Sequence, residues 1–293
     1  MAFDIKTLTT RTITAVFFSA ILLSCIVFSF ITFSVLFLVV SIWGLNEFYK
    51  LSEKLGAKPY KLIGCLAGLC AFTFSVIVNS NLAVFISSEY MIACILVFVF
   101  FVFIIGLFDD SNTTILNITY TLTGLIYTVL PFMVLVQIAC IGNSRTITYT
   151  EGNFWDNIAP YNSHYILGII LLIWSSDVFA YLVGSLIGKN KLYERISPGK
   201  TWEGSIGAAI LTIGCSFIIA GVFPDLATKH WIVISIIVSV FGTIGDLVES
   251  MFKRQANVKD SGSIMPGHGG ILDRFDSLLF VSPFIYAYLL LIR

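Results

Sequence analysis

Residues Thr12–Trp43 read TITAVFFSAILLSCIVFSFITFSVLFLVVSIW. This apolar stretch is too long for the core of a secretory leader and lacks a convincing small-residue cleavage site. A bilayer-crossing helix needs roughly 20 apolar residues, so the stretch fits two closely spaced spans, or one long bent helix. Lys6 and Arg11 precede it, and the expectation is that nothing here is removed from the protein.

The rest of the chain has the same character. It is 57% hydrophobic and 12% charged, with a mean hydropathy of +0.94. A soluble domain is about 45–50% apolar and about 25% charged, so this chain lacks the charge to cover a water-facing surface. It reads as an all-α, polytopic integral membrane protein. A formal net charge of zero and a pI near 6.8 exclude bulk nucleic-acid binding, which needs a basic field. The six cysteines (Cys25, Cys65, Cys70, Cys94, Cys140, Cys215) lie in apolar runs with no CxxC pair and read as free, packed thiols.

At roughly 20 apolar residues per span the sequence predicts about nine helices, near 12–27, 29–49, 62–79, 89–107, 115–141, 164–187, 203–222, 231–251 and 271–291. Loop charge orients them through the excess of Lys and Arg on the cytoplasmic side. With the N-terminus cytoplasmic, the basic segments fall inside: the N-terminus, the Lys50/Lys54/Lys58/Lys61 loop, the Lys189–Lys200 loop and the Lys253–Lys259 loop. Outside fall 80–88 without a cation, 142–163 with only Arg145, and 223–230 with only Lys229. The Asp109–Asp110 turn is an inside loop without cations. Polar groups concentrate late in the chain. Residues 1–163 read as scaffold helices and residues 164–293 as a catalytic half with cytoplasmic basic loops.

Chemistry enters at Gly245–Ser277, GDLVESMFKRQANVKDSGSIMPGHGGILDRFDS. Three carboxylates that could bind metal (Asp246, Asp273, Asp276) and four cations (Lys253, Arg254, Lys259, Arg274) sit between apolar segments. An ionisable group inside a span costs on the order of 2.5–3.5 kcal/mol at its centre, so such a cluster is a functional site by default. Asp246, Glu249 and Lys253 fall at i, i+3 and i+7 and share a helix face, as do Asp273 and Asp276. Two such faces can hold a divalent ion, and Mg²⁺ suits one or two carboxylates completed by phosphate oxygens and water. Helix-to-helix ion pairs are the competing explanation of the same charges.

The connection Ser261–Gly270 is glycine-rich and feeds the last helix. It can expose backbone N–H groups and a positive helix end to phosphate. His268 can donate to a phosphate or hydrogen-bond within the turn. His164 and His230, near predicted external ends, carry no functional reading. Farther back, Asp177 lies in the apolar helix Trp174–Tyr181 and needs a metal, a cation or its own proton as partner. In Arg195–Gly204, RISPGKTWEG, Ser197-Pro198 predicts a turn feeding a helix near Lys200–Glu203. The Ser197 and Thr201 hydroxyls, with Lys200, can grip a polyphosphate or lipid headgroup. Trp202 and Lys200 also fit a bland role as interfacial anchors.

Taken together these motifs resemble the phosphatidate cytidylyltransferase (CDP-diacylglycerol synthase) family. The match is S-x(3)-R-x(4)-K-D-x-G-x(3)-P-G-H-G-G-x-x-D-R-x-D over Ser250–Asp276, R-I-S-P-x-K-T-W-E-G over Arg195–Gly204, and S-D-x-x-A-Y over Ser176–Tyr181. The family often has Thr-Gly where this chain has Val178-Phe179. The resemblance implies transfer of CMP from CTP to phosphatidate, giving CDP-diacylglycerol and pyrophosphate for phospholipid biosynthesis, with Mg²⁺ and room for a second, monovalent ion. Mapped onto this chain, Asp246 and Asp273 become metal ligands, with Asp276 and Asp177 as further carboxylates. Lys253 and Arg274 join the catalytic group. Ser197, Lys200, Thr201, Arg254, Lys259, His268, Gly269 and Gly270 bind substrate. The implied setting is a bacterial inner membrane with the active site facing the cytoplasm, and a homodimer. A CTP-dependent lipid kinase of the polyprenol type and an ion or solute transporter stay open as other classes; the first would leave CDP, the second would call for repeated halves, and no repeat is visible.

Overall fold

The computed structural model describes residues 5–80, 88–141, 159, 161–264 and 269–293. With no water to satisfy a peptide group in the bilayer, apolar runs close their backbone hydrogen bonds within helices. In chain order these are α1 (Ile5–Phe28), α2 (Phe30–Lys54), α3 (Lys61–Asn79), α4 (Ser88–Leu107), α5 (Thr114–Gly124), a π turn (Leu125–Val129), α6 (Leu130–Ala139), α7 (Ser163–Ile187), strands β1 (Lys191–Tyr193) and β2 (Ser197–Thr201), then α8 (Trp202–Val222), α9 (Thr228–Gln255) and α10 (Leu272–Leu291). Among the described residues, seven helices are long and apolar enough to cross a membrane: α2, α3, the continuous α5–α6 rod, and α7 to α10. The remaining two, α1 and α4, carry shorter apolar stretches over Thr12–Phe28 and Ile92–Leu107. Large side chains such as Phe28, Leu107, Ile115 and Leu186 stand exposed, as expected of a surface solvated by lipid tails. None of the six cysteines is joined in a disulfide.

The opening stretch is two helices, not one bent rod. Ser29 is extended (φ −165°) and caps α2: its Oγ accepts from Thr32 N–H while the Thr32 hydroxyl oxygen accepts from Ser29 N–H. Such a reciprocal cap satisfies two donors that the break would otherwise strand. The span predicted over 115–141 is interrupted by the π turn, and Pro131 explains it. Its ring would clash with the carbonyl four residues back, that of Tyr127, and it has no N–H to donate. The ladder widens instead, Leu130 N–H reaching Leu125 O.

The sequence reading of Ser197–Thr201 needs correcting. That segment is not a turn running into a helix at Lys200 but strand β2, antiparallel to β1 with Lys191 opposite Thr201 and Tyr193 opposite Ser197. Pro198 is tolerated because a two-stranded ribbon has only edge strands, which leave donors unused. The helix starts at Trp202, where Thr201 Oγ1 accepts from Gly204 N–H.

Small residues set the helix spacing, as is usual where lipid tails supply no hydrophobic drive. A Cβ on Gly204 of α8 would lie 2.9 Å from Ala180 O and 3.0 Å from Gly184 Cα of α7. A Cβ on Gly245 of α9 would lie 2.7 Å from Asp276 O of α10. Early and late helices share one core: Phe37 (α2), Phe132 (α6) and Phe275 (α10) meet with ring centroids 5.6–6.0 Å apart.

Polar contacts join loops that are distant in sequence. Before α3, Tyr60 hydroxyl donates to Asp109 (2.7 Å) and Lys58 N–H to Asn117 (2.6 Å), joining the α2–α3 and α4–α5 connections at one end. At another connection His164 Nδ1, at the start of α7, is within hydrogen-bond reach of Asp225 between α8 and α9.

Candidate active site

The last turns of α9 present Asp246, Glu249, Ser250 and Lys253, and the first turns of α10 present Asp273, Asp276 and Ser277. Because Gly245 lets the two backbones nearly touch, Asp246, Glu249 and Asp276 converge. Each offers a carboxylate oxygen within 4.8 Å of the others. Glu249 is buried, 1% exposed. Its Oε2 takes Lys253 Nζ at 2.6 Å, while its Oε1 has no hydrogen-bond partner among the described residues. Lys253 Nζ also reaches Asp273 Oδ1 at 2.6 Å. Lys200, the inward-facing cation of β2, meets Asp246 Oδ2 at 2.6 Å and Thr243 O at 3.3 Å. Ser250 Oγ donates to Asp246 Oδ1 (3.2 Å) and Ser277 N–H to Asp276 Oδ1 (2.7 Å).

A cavity of about 500 Å³ opens over this cluster, walled by α7, β2, α8, α9 and α10; Asp177, Ser197, Lys200, Asp246, Asp273 and Asp276 line it. Carboxylates outnumber the lysines there, and Glu249 keeps an unpartnered oxygen. An all-oxygen donor set with surplus negative charge fits a hard divalent cation such as Mg²⁺.

The residues singled out by sequence do not all converge. Thr201 lines the cavity, but its hydroxyl oxygen is engaged as the α8 cap. Arg254 turns away to the carbonyls of Ile196 and Val258, and Lys259 is exposed. Arg274 borders a small crevice beside Phe18 and Asp177 that shares Asp276 and Ser277 with the main cavity. His268 lies outside the described residues.

The glycine-rich connection departs most from its expected use. Asp273 Oδ2 accepts from Gly270 N–H (2.7 Å), Ser261 N–H (2.9 Å) and Ser261 hydroxyl (3.0 Å). The start of α10 is occupied as well. Glu47, on α2 and 2% exposed, accepts from Ile271 N–H and Leu272 N–H, each at 3.0 Å, and lies 3.0 Å from Ser261 Oγ. The positive helix end expected to face phosphate is thus satisfied by the protein's own carboxylate. The glycines serve that wrapping. A Cβ at Gly262 or Gly270 would fall 2.4 Å from a Glu47 oxygen, and Gly269 has φ +85°, a conformation suited to glycine alone. Neither Glu47 nor the cluster role of Glu249 was read from sequence. Glu47, near the end of α2 and next to Lys50 and Lys54, carried no signal that set it apart from an interfacial charge.

Comparison with known proteins agrees with this chemistry. A family model described as "Cytidylyltransferase family" matches residues 9–292. A phosphatidate cytidylyltransferase of Staphylococcus haemolyticus (strain JCSC1435) is 53% identical over 127 residues, 42% of this chain and 47% of that protein. One from Bacillus subtilis (strain 168) is 47% identical over 135 residues, 44% of this chain and 49% of that protein. In these matches the chain spans about half the length of its curated relatives. With the family match running almost end to end over a fold that gathers its carboxylates into one polar cavity, this chain belongs to the cytidylyltransferase family.

Proposed function

We propose that the protein transfers CMP from CTP to phosphatidate, releasing pyrophosphate and leaving CDP-diacylglycerol in the membrane. The observation that carries this reading is the convergence of Asp246, Glu249 and Asp276 beneath a polar cavity inside a lipid-facing fold. The relatives' printed name supports it. A phosphate oxygen of phosphatidate, already anionic, attacks the α-phosphorus of CTP; the new P–O bond forms as the bond to the β-phosphate oxygen breaks. No side-chain nucleophile is required, so the work of the protein is positioning and charge neutralisation.

Lys253 holds Glu249 and Asp273 in place across the α9–α10 seam. Lys200 balances Asp246 and, with the Ser197 hydroxyl, offers donors to phosphate oxygens at the cavity wall. Asp177 and Asp273 complete its acidic lining, and Arg274 approaches from the side facing α1. Asp246, Glu249 and Asp276 would hold Mg²⁺, which when bound offsets charge developing on the departing pyrophosphate. The basic loops flanking the cavity, Lys189–Lys200 and Lys253–Lys259, support a cytoplasmic opening in a bacterial inner membrane.

The test is turnover of phosphatidate with α-³²P-labelled CTP and Mg²⁺ in detergent, beside Asp246→Asn. Label enters the lipid with wild type and falls at least a hundredfold in the variant, which remains folded. Substantial turnover by Asp246→Asn removes the metal assignment. Lipid labelled from γ-³²P-CTP instead would mean a kinase.

A further inference from the structure

The π turn places a residue of the early helices against the carboxylate cluster. Tyr127, at the centre of that turn, packs its ring between α9 and α10. It meets Phe252 (centroids 5.4 Å apart, 68°) and Phe280 (6.5 Å, 65°), with Phe48 of α2 behind it (5.6 Å). Phe252 is three residues beyond Glu249, and Phe280 four beyond Asp276. Each therefore stands one helical turn along the same face as its carboxylate. The tyrosine hydroxyl is sealed from solvent and has no hydrogen-bond partner among the described residues. The charges that act on it are those of Glu249 first, then Asp276 and Asp246. Glu249 Oε1, one turn before Phe252 on α9, is a second buried polar atom without a hydrogen-bond partner among the described residues.

An unsatisfied buried hydroxyl is costly, and so is an unsatisfied buried carboxylate oxygen. Two orphans of complementary type, one donor and one acceptor, at one acidic cluster point to a shared use. We propose that Tyr127 is a further positioning residue of this site: once a divalent cation is bound, its O–H donates to the Glu249 carboxylate and fixes which oxygen of that group is turned toward the cation. Groups that orient a metal ligand in this way set its rotamer and basicity. Tyr127 lies at the centre of the π turn, with its ring against Phe252 of α9 and Phe280 of α10. The inference rests on the cation reading above and concerns a residue outside every motif noted in the sequence.

The experiment is direct Mn²⁺ titration of the purified full chain without nucleotide, free Mn²⁺ being read by electron paramagnetic resonance. Tyr127→Phe keeps the ring and its aromatic contacts and removes only the hydroxyl. Its Mn²⁺ affinity should fall about tenfold or more, while its melting temperature in chelator equals or exceeds that of wild type. In a Glu249→Gln background the same substitution should have no further effect on affinity. Equal affinities for Tyr127→Phe and wild type overturn the proposal and leave the cation site standing. An equal fold loss in both backgrounds also overturns it, as does a lowered melting temperature in chelator, which would assign the hydroxyl to packing. Absence of saturable Mn²⁺ binding by wild type overturns this proposal and the cation assignment together.

Discussion

Replacing Glu47 by Ala strands the N–H groups of Ile271 and Leu272 in a buried site where water cannot reach them. A buried donor left unpaired costs about 1–3 kcal/mol, so Glu47→Ala should lose about 3 kcal/mol. Glu47→Gln, which keeps one accepting oxygen, should lose less. Denaturant unfolding in detergent measures both, and equal stability of Glu47→Ala and wild type would remove the clamp. The same residue marks where sequence reasoning ran short. Asp177, Lys200, Asp246, Asp273 and Asp276 were legible because an ionisable group flanked by apolar residues needs a reason to be there, and motif spacing supplied one. Glu47 sits just before a lysine-rich loop and passes for an interfacial charge. Its partners are 214–225 residues away, a separation no local pattern encodes. Glu249 was placed on the correct face, but nothing in its spacing told that Asp273 would be drawn off by Lys253 and the glycine connection while Glu249 kept an unpartnered oxygen.

Among the elements, long apolar helices were read nearly to their ends, since bilayer thickness fixes their length. The β1–β2 hairpin was not, because Ser-Pro-Gly-Lys-Thr has turn composition and only its pairing with Lys191–Tyr193 makes it a strand. The paired loops between α2 and α3 and between α4 and α5 carry a pH signature of their own. The Tyr60 hydroxyl foremost, then Asn117 and Ser111, hold the Asp109 carboxyl well below the usual carboxylate range. Its ionised form is therefore favoured by folding. The stabilisation is complete above the ordinary value of about 3.9 and is lost as pH falls through the lower folded value. Tyr60 runs the other way: partial burial, then its bond to Asp109, pushes the phenol up to about 12. That contribution is full below about pH 10 and is lost as pH rises through the folded value. Asp109→Asn should flatten the acid limb of melting temperature against pH and weaken the alkaline one. Unchanged limbs would mean the two loops are not coupled through this bond.

For the molecule as a whole, Tyr60 bonds to Asp109 and His164 to Asp225 across two separate pairs of loops, and the side each faces, expected from charge bias, is open to test. In a cysteine-free background, Lys229→Cys should react with an impermeant maleimide in right-side-out vesicles, and Lys191→Cys only after the membrane is opened or inverted. The reverse pattern would put the cavity on the outer side. The Glu47 clamp also carries a consequence for biogenesis. Its α2 carboxylate leaves the ribosome long before the backbone groups of α10 that will receive it, 225 residues later in the case of Leu272. Until then a lone carboxylate in lipid is costly, so α2 would be held near the headgroups with Glu47 hydrated. Arrival of α10 would draw α2 to its final depth in the same event that closes the glycine connection. A nascent chain stalled before its last helix would therefore be inserted and oriented but without the α10 carboxylates that close its polar cavity.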